Sequence, residues 1–330
     1  MKNKKLLSLV LVLLLTFSLV ACGKKEEAED VSVDTNSETI AETVYPLSIK
    51  DALGEEVVFE KAPERVVSLA PSNTENLYAV GAGETLVGRT DYCDYPAEVL
   101  EVESIGGFTD PNIEAILDKD PDLVLVSGMV SEDSIKTIKE VGINVVALDA
   151  TSFDEVYSNI EKFGQIFDLN ENSKKIIDEM KASILEISDK VKEFDKVSVF
   201  YEVWGDPLMS TGPNTFIDEL ITLANGENAA KIDEGFKNYS IEQLIEDNPE
   251  VYILPKDGGM GVGLSDTEEP EDLESATIEL IKNREGYSAI SAIENDRIYL
   301  VDGDTSTIPG PRLVLALEEF AECIHPEAFK

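Results

Sequence analysis

The chain has 330 residues, with 27 Lys and Arg against 67 Asp and Glu, a formal net charge of −40 and one histidine. So acidic a chain disfavours nucleic acid and anionic membrane faces, both of which attract proteins through clustered cations. Ser-His-Asp or Cys-His catalysis would have to recruit His325, the one histidine, from the end of the last helix, and a zinc or manganese site wants several His or Cys ligands.

Lys2, Lys4 and Lys5 precede an apolar stretch from Leu6 to Val20. It is short for a membrane span of about 20 residues and has the charge polarity of a secretory signal. Leu19-Val20-Ala21-Cys22, followed by Gly23, resembles the bacterial lipobox, in which the Cys is lipidated and becomes the mature N-terminus. Residues 1–22 are therefore expected to be a lipoprotein signal peptide. Residues 23–44 carry Glu26, Glu27, Glu29, Asp30 and further charges without an aromatic, and read as a flexible acidic tether.

Residues 45–152 are expected to form an N-terminal α/β lobe. Residues 47–59 read as a hairpin turning at Asp51-Ala52-Leu53-Gly54, and residues 65–70 as a strand that stops at Pro71. Ser72 is expected to cap the next helix, with Glu75 as its capping-box partner and an end near Gly81. Residues 86–89 form another short strand, and Asp91-Tyr92-Cys93-Asp94-Tyr95-Pro96 a loop at the strand edge where α/β sheets place ligands. Gly106-Gly107-Phe108-Thr109-Asp110 leads into PNIEAILDKDPDLVLV, residues 111–126. Residues 143–148 close the lobe as a buried strand.

Residues 153–194 are an interlobe helical segment with its break at Asp168-Leu169-Asn170. Beyond the break, Ile176, Ile177, Met180, Ile184, Ile187 and Val191 recur at spacings of three or four and draw one apolar stripe. A helix of about 19 residues at 1.5 Å per residue is a strut nearly 30 Å long. Residues 195–330 are expected to form a second α/β lobe. There the first segment reappears as YSIEQLIEDNPEVYIL, residues 239–254, with Glu242 preceding Pro249 as Glu114 precedes Pro121. The separation is domain-sized, unlike a solenoid repeat of roughly 20–50 residues. The fold expected is α/β, two Rossmann-like lobes joined by one long interlobe helix, with a ligand cleft between them.

The order of these elements, with RVVSLAPSNTENLYAVGAG, TDYCDYP, IGGFTDPNIEAILDKDPDLVLV, ENDRIYLVDGD and PGPRLVLALEEF, resembles the substrate-binding proteins of ABC importers for iron complexes and cobalamin, the class III solute-binding proteins. The resemblance runs from about Leu47 to the end. It implies a non-catalytic protein, a monomer without a resident cofactor, that captures a metal chelate and hands it to an ABC permease dimer with its ATPase. It would be held extracytoplasmically at the membrane only by a lipid on Cys22. Glu114 and Glu242 match the family glutamates, one per lobe, that dock on permease arginines. A carboxylate in a helix's first turn also gains about 0.3–1 kcal/mol from the macrodipole, but polarity alone asks for no matching residue in each lobe.

The family's ligand-facing loops nominate Tyr92, Phe108, Trp204, Phe236, Asp304 and Thr305, with Arg89 and Lys237 as the cations on offer. Aromatic rings can stack on a planar macrocycle, although Phe108 and Phe236 equally suit a core. Arg312, at a helix start, reads as structural. Little positive charge suits a neutral corrinoid better than an anionic ferric siderophore. A Tyr92-ligated haem and an iron(III)-siderophore remain alternatives, as do a ligand-sensing surface protein and a non-metal surface hydrolase. Gly258 to Gly263 lacks the Lys-Ser/Thr of a phosphate loop and reads as a surface loop. Cys93 and Cys323, assigned to different lobes, are expected to stay free, and neither has a neighbour at metal-ligand spacing.

Overall fold

Leu123-Val124-Leu125-Val126 and Val251-Tyr252-Ile253-Leu254 are buried at every position. An unbroken apolar strand of this kind belongs inside a parallel sheet covered on both faces. A computed structural model, which describes residues 41–107, 111–256 and 273–330, places each in such a sheet.

The chain opens with an antiparallel hairpin, β1 (Leu47–Lys50) and β2 (Glu56–Phe59), turning at residues 51–54. The strands β3 (Val66–Ser68), β4 (Leu86–Arg89), β5 (Leu123–Val126) and β6 (Asn144–Ala147) then form a parallel sheet in the order β4-β3-β5-β6. In the second half, β7 (Val197–Tyr201) is followed by the short β8 (Trp204–Gly205) and β9 (Leu208–Thr211). Next come β10 (Gly226–Asn228), β11 (Phe236–Asn238), β12 (Val251–Pro255) and β13 (Ile298–Val301). The second parallel sheet has the order β10-β7-β12-β13, while β11, β9 and β8 make a small antiparallel sheet. Omitting that insertion, both lobes wind as second, first, third, fourth strand. The helix and strand of the repeat start in step, Ile113 with Ile241 and Leu123 with Val251.

The period of two along these strands sorts the core. Leu123 and Leu125 face one cluster together with Val251 and Ile253, whereas Val124 and Val126 face a cluster in the first lobe, and Tyr252 and Leu254 one in the second. The shared cluster also takes Phe153, Ile160, Phe163, Met180, Ile187, Val191, Leu317 and Phe320. One apolar core therefore runs from lobe to lobe through the connecting helices.

Those helices are Phe153–Ile166 and Asn170–Val191, broken at Asp168 and Leu169 as the sequence suggests. At 22 residues the second spans about 33 Å. Met180, Ile187 and Val191 of its stripe are buried, and Ile176, Ile177 and Ile184 pack on the same core. Gly164 lets the two helices approach, because a Cβ there would collide with Ser173. The helix after β3 corrects the sequence reading: it starts at Pro71, with Ala70 as its N-cap and no side-chain cap. Ser72 is thus inside the helix, and Glu75 bonds across to the other lobe instead of closing a capping box.

A core common to both lobes opposes hinge opening, since separation would expose apolar surface at about 25 cal/mol per Å². Ligand binding is accordingly expected to leave the radius of gyration nearly unchanged. Small-angle scattering with and without ligand tests this, and a large contraction on binding would contradict the shared core.

Candidate ligand-binding cleft

In a parallel sheet the carboxyl ends of the strands and the loops after them form the ligand edge. Here those loops line a cavity of about 580 Å³, within the roughly 300–1,000 Å³ of small-molecule sites. The first lobe contributes Leu69 to Ser72 after β3, Asp91, Tyr92 and Asp94 after β4, Ser127 and Met129 after β5, and Asp149 after β6. The second lobe contributes Asp304, Thr307, Ile308 and Pro309 after β13. A smaller chamber of about 200 Å³ shares Thr307 and Pro309 and is closed by Thr151, Asn214, Phe216 and Phe236, so the two form one interlobe cleft.

Tyr92 is 59% exposed and Met129 63%. These large apolar groups therefore stand open to solvent in the cleft wall. Asp149 is exposed as a residue, yet the surrounding cleft wall partly buries its carboxyl. That burial raises its carboxyl above the usual value, while the Gly128 N–H, donating at 2.6 Å, pulls the other way. Asp91 accepts from the Ser104 hydroxyl at 2.5 Å. Among the described residues no group of three or more His, Cys, Asp or Glu could hold a metal ion.

Of the residues nominated from sequence, Tyr92, Asp304 and Phe236 line the cleft. Phe108 and Cys22 lie outside the described residues, as does the loop from Gly258 to Gly263. Arg89 does not reach the cleft. Its guanidinium donates to the carbonyls of Val99 and Val102 at 3.0 Å and of Thr90 at 2.9 Å, fastening the loop after β4. Thr305 is buried against its own helix turn, its hydroxyl donating to Asp302 O at 3.2 Å. Trp204 sits half-buried in β8, with its indole N–H donating to Asp206 O at 2.7 Å, and it is not a lining residue. Lys237 lies 3.8 Å from the Asp233 carboxylate on the surface. Glu114 and Glu242 are exposed in the first turns of matching short helices, and neither makes a hydrogen bond or ion pair among the described residues. Cys93 and Cys323 are both buried and unpaired.

Sequence reasoning missed Ser127, Met129, Asp149 and Asn214. The first three follow β5 and β6 directly, so strand ends alone could have found them. It also missed the link between the lobes, where Arg312 pairs with Glu75 at 2.5 and 2.9 Å, lies 4.1 Å over the Tyr95 ring, and Asn76 donates to Pro309 O at 3.1 Å. A second long-range bond joins Glu219 of the second lobe to the Phe153 N–H at the start of the connecting helices, at 3.0 Å.

Burial raises both linking carboxyls above their usual value, against the opposing pull of Arg312 on Glu75 and of the Phe153 N–H on Glu219. A raised folded-state value means that protonation favours the fold. The stability so gained is full below the ordinary carboxylate range and is lost as pH rises through the raised values. Asp247 behaves oppositely: although burial would raise it, Lys231, Tyr239 and Gln243 hold it low, so it titrates below this window. Relief of a net charge of −40 acts in the same direction as the raised groups. The melting temperature is expected to be higher at pH 5 than at pH 7 by calorimetry, and a fall would contradict the assignment.

Two parallel-sheet lobes of equal topology, a shared core, a long connecting helix and a cleft at the strand ends define a bilobal ligand-binding protein. Residues 66–305 match the family model described as periplasmic binding protein, and the chain belongs to that family. It is 35% identical over 327 residues to the uncharacterized ABC transporter substrate-binding lipoprotein YvrC of Bacillus subtilis, covering 97% of this chain and 96% of that one. It is 25% identical over 281 residues to the vitamin B12-binding protein of Vibrio campbellii, with 84% and 94% covered. A solved structure of a possible iron-binding periplasmic solute-binding protein from Staphylococcus epidermidis superposes with a TM-score of 0.70 at 33% identity, over 80% of this chain and 100% of that chain.

Proposed function

We propose that this chain is the extracytoplasmic substrate-binding lipoprotein of an ABC importer, anchored by a lipid on Cys22, and that it captures cobalamin or an iron chelate without catalysis. The interlobe cleft of about 580 Å³ at the strand ends carries the reading. The vitamin B12-binding and possible iron-binding relatives support a metal chelate as cargo. Tyr92, Phe236 and Met129 offer the ligand apolar contact, and Asp304 and Asp149 offer polar contact from opposite lobes. Glu114 and Glu242 are the docking points for a permease dimer with its ATPase. Calorimetric titration with cyanocobalamin, haemin and ferric siderophores tests the reading, which fails if none of them binds.

A further inference from the structure

The cleft at the strand ends is the proposed ligand site, and the side chains around it set the ligand charge it favours. Asp91, Asp94, Asp149 and Asp304 line the main chamber, and among the described residues neither that chamber nor the smaller one has a Lys or Arg in its wall. The neighbouring cations are already engaged. Arg89 is held by three backbone carbonyls, Arg312 by the buried Glu75 carboxylate and the Tyr95 ring, and Lys237 lies beside Asp233. We infer that the cleft selects metal chelates that are neutral or cationic and present N–H donors at their rim, and rejects anionic, acceptor-rimmed chelates.

The physical reason lies in what a carboxylate can do. An ionised Asp accepts hydrogen bonds and donates none. A ligand that fills the cleft strips water from these carboxylates, which is costly unless it returns donors or positive charge. A ring of primary carboxamides, as on a corrinoid, returns N–H donors, and a chelate with a pendant ammonium returns charge. A catecholate chelate or a haem propionate brings more negative charge against the same walls. The field of a chain with net charge −40 adds to this local effect. The inference rests on the proposed import function, because it specifies the cargo of the same cleft.

The test uses the full chain in detergent and four probes: neutral cyanocobalamin, cationic ferrioxamine B, and the anions haemin and ferric enterobactin. The neutral or the cationic probe is expected to bind at least tenfold more tightly than either anion. Raising salt from 0.01 to 0.1 M shortens the Debye length from about 30 to 10 Å. It should weaken any ferrioxamine binding and leave cyanocobalamin nearly unchanged. Asp149→Asn and Asp304→Asn, which keep side-chain shape, should narrow the gap between cation and anion, with melting curves confirming that both fold. An anion binding as tightly as the best of the other two overturns the charge selection and leaves the import reading standing. Failure of all four to bind overturns both.

Discussion

Replacing Arg312 with alanine is expected to destabilise the protein by about 3–5 kcal/mol at pH 7, the range found when one partner of a buried ion pair is removed. The Glu75 side chain is 3% exposed and that of Arg312 16%, and two hydrogen bonds join them across the lobes. Without the guanidinium the carboxylate would stay buried with no opposite charge. Burial already lifts its carboxyl above the usual value, so falling pH lets Glu75 take a proton and lowers the cost. The urea midpoint should therefore drop strongly at pH 7 and less at pH 5. Glu75→Gln in the same chain should restore part of the loss, because the orphan is then neutral. A change below about 1 kcal/mol at pH 7, as for an exposed pair, would show that the link contributes nothing special to holding the lobes together.

That same pair marks the limit of what the sequence reveals. Ser72 and Glu75 satisfy the local capping pattern, yet the partner of Glu75 stands 237 residues further on. Short-range spacing cannot weigh a competitor that only the folded chain brings near. Arg89 was misread for a similar reason: its charge suggests a ligand anion, but nearby backbone carbonyls already satisfy its donors. Thr305 and Trp204 likewise find partners within their own turns. The strands and the long helix were legible because periodicity is itself the cause of their burial. Every residue of β5 and β12 is apolar since both faces of each sheet are covered, and the stripe from Ile176 to Val191 is apolar since one face of that helix seats on the shared core. The duplication was legible because both copies must solve the same packing problem. Asp149 escaped notice as one carboxylate among 67 acidic residues, and only its place after β6 sets it apart.

The double substitution Glu114→Ala with Glu242→Ala is expected to cut ligand uptake roughly tenfold while leaving ligand affinity within about twofold. Both glutamates are exposed, lie outside the cleft lining and have no ion pair among the described residues, so their loss alters neither the cavity nor the core. Their carboxylates are available to a partner's cations. Leu117 and Ile241, 37% and 42% exposed, lie on the same two helices. One exposed charge pair contributes about 0.2–1 kcal/mol. Two lost together approach the 1.4 kcal/mol that equals a factor of ten in an equilibrium, whereas either single change should fall short of it. Uptake by cells carrying the permease and calorimetric affinity of the purified variant measure the two quantities separately. An equal charge change on the long helix, Glu171→Ala with Glu179→Ala, is the control and should leave uptake intact. Normal uptake by the first double variant would remove the docking role, and a collapse of ligand affinity would instead place these helices in the binding site.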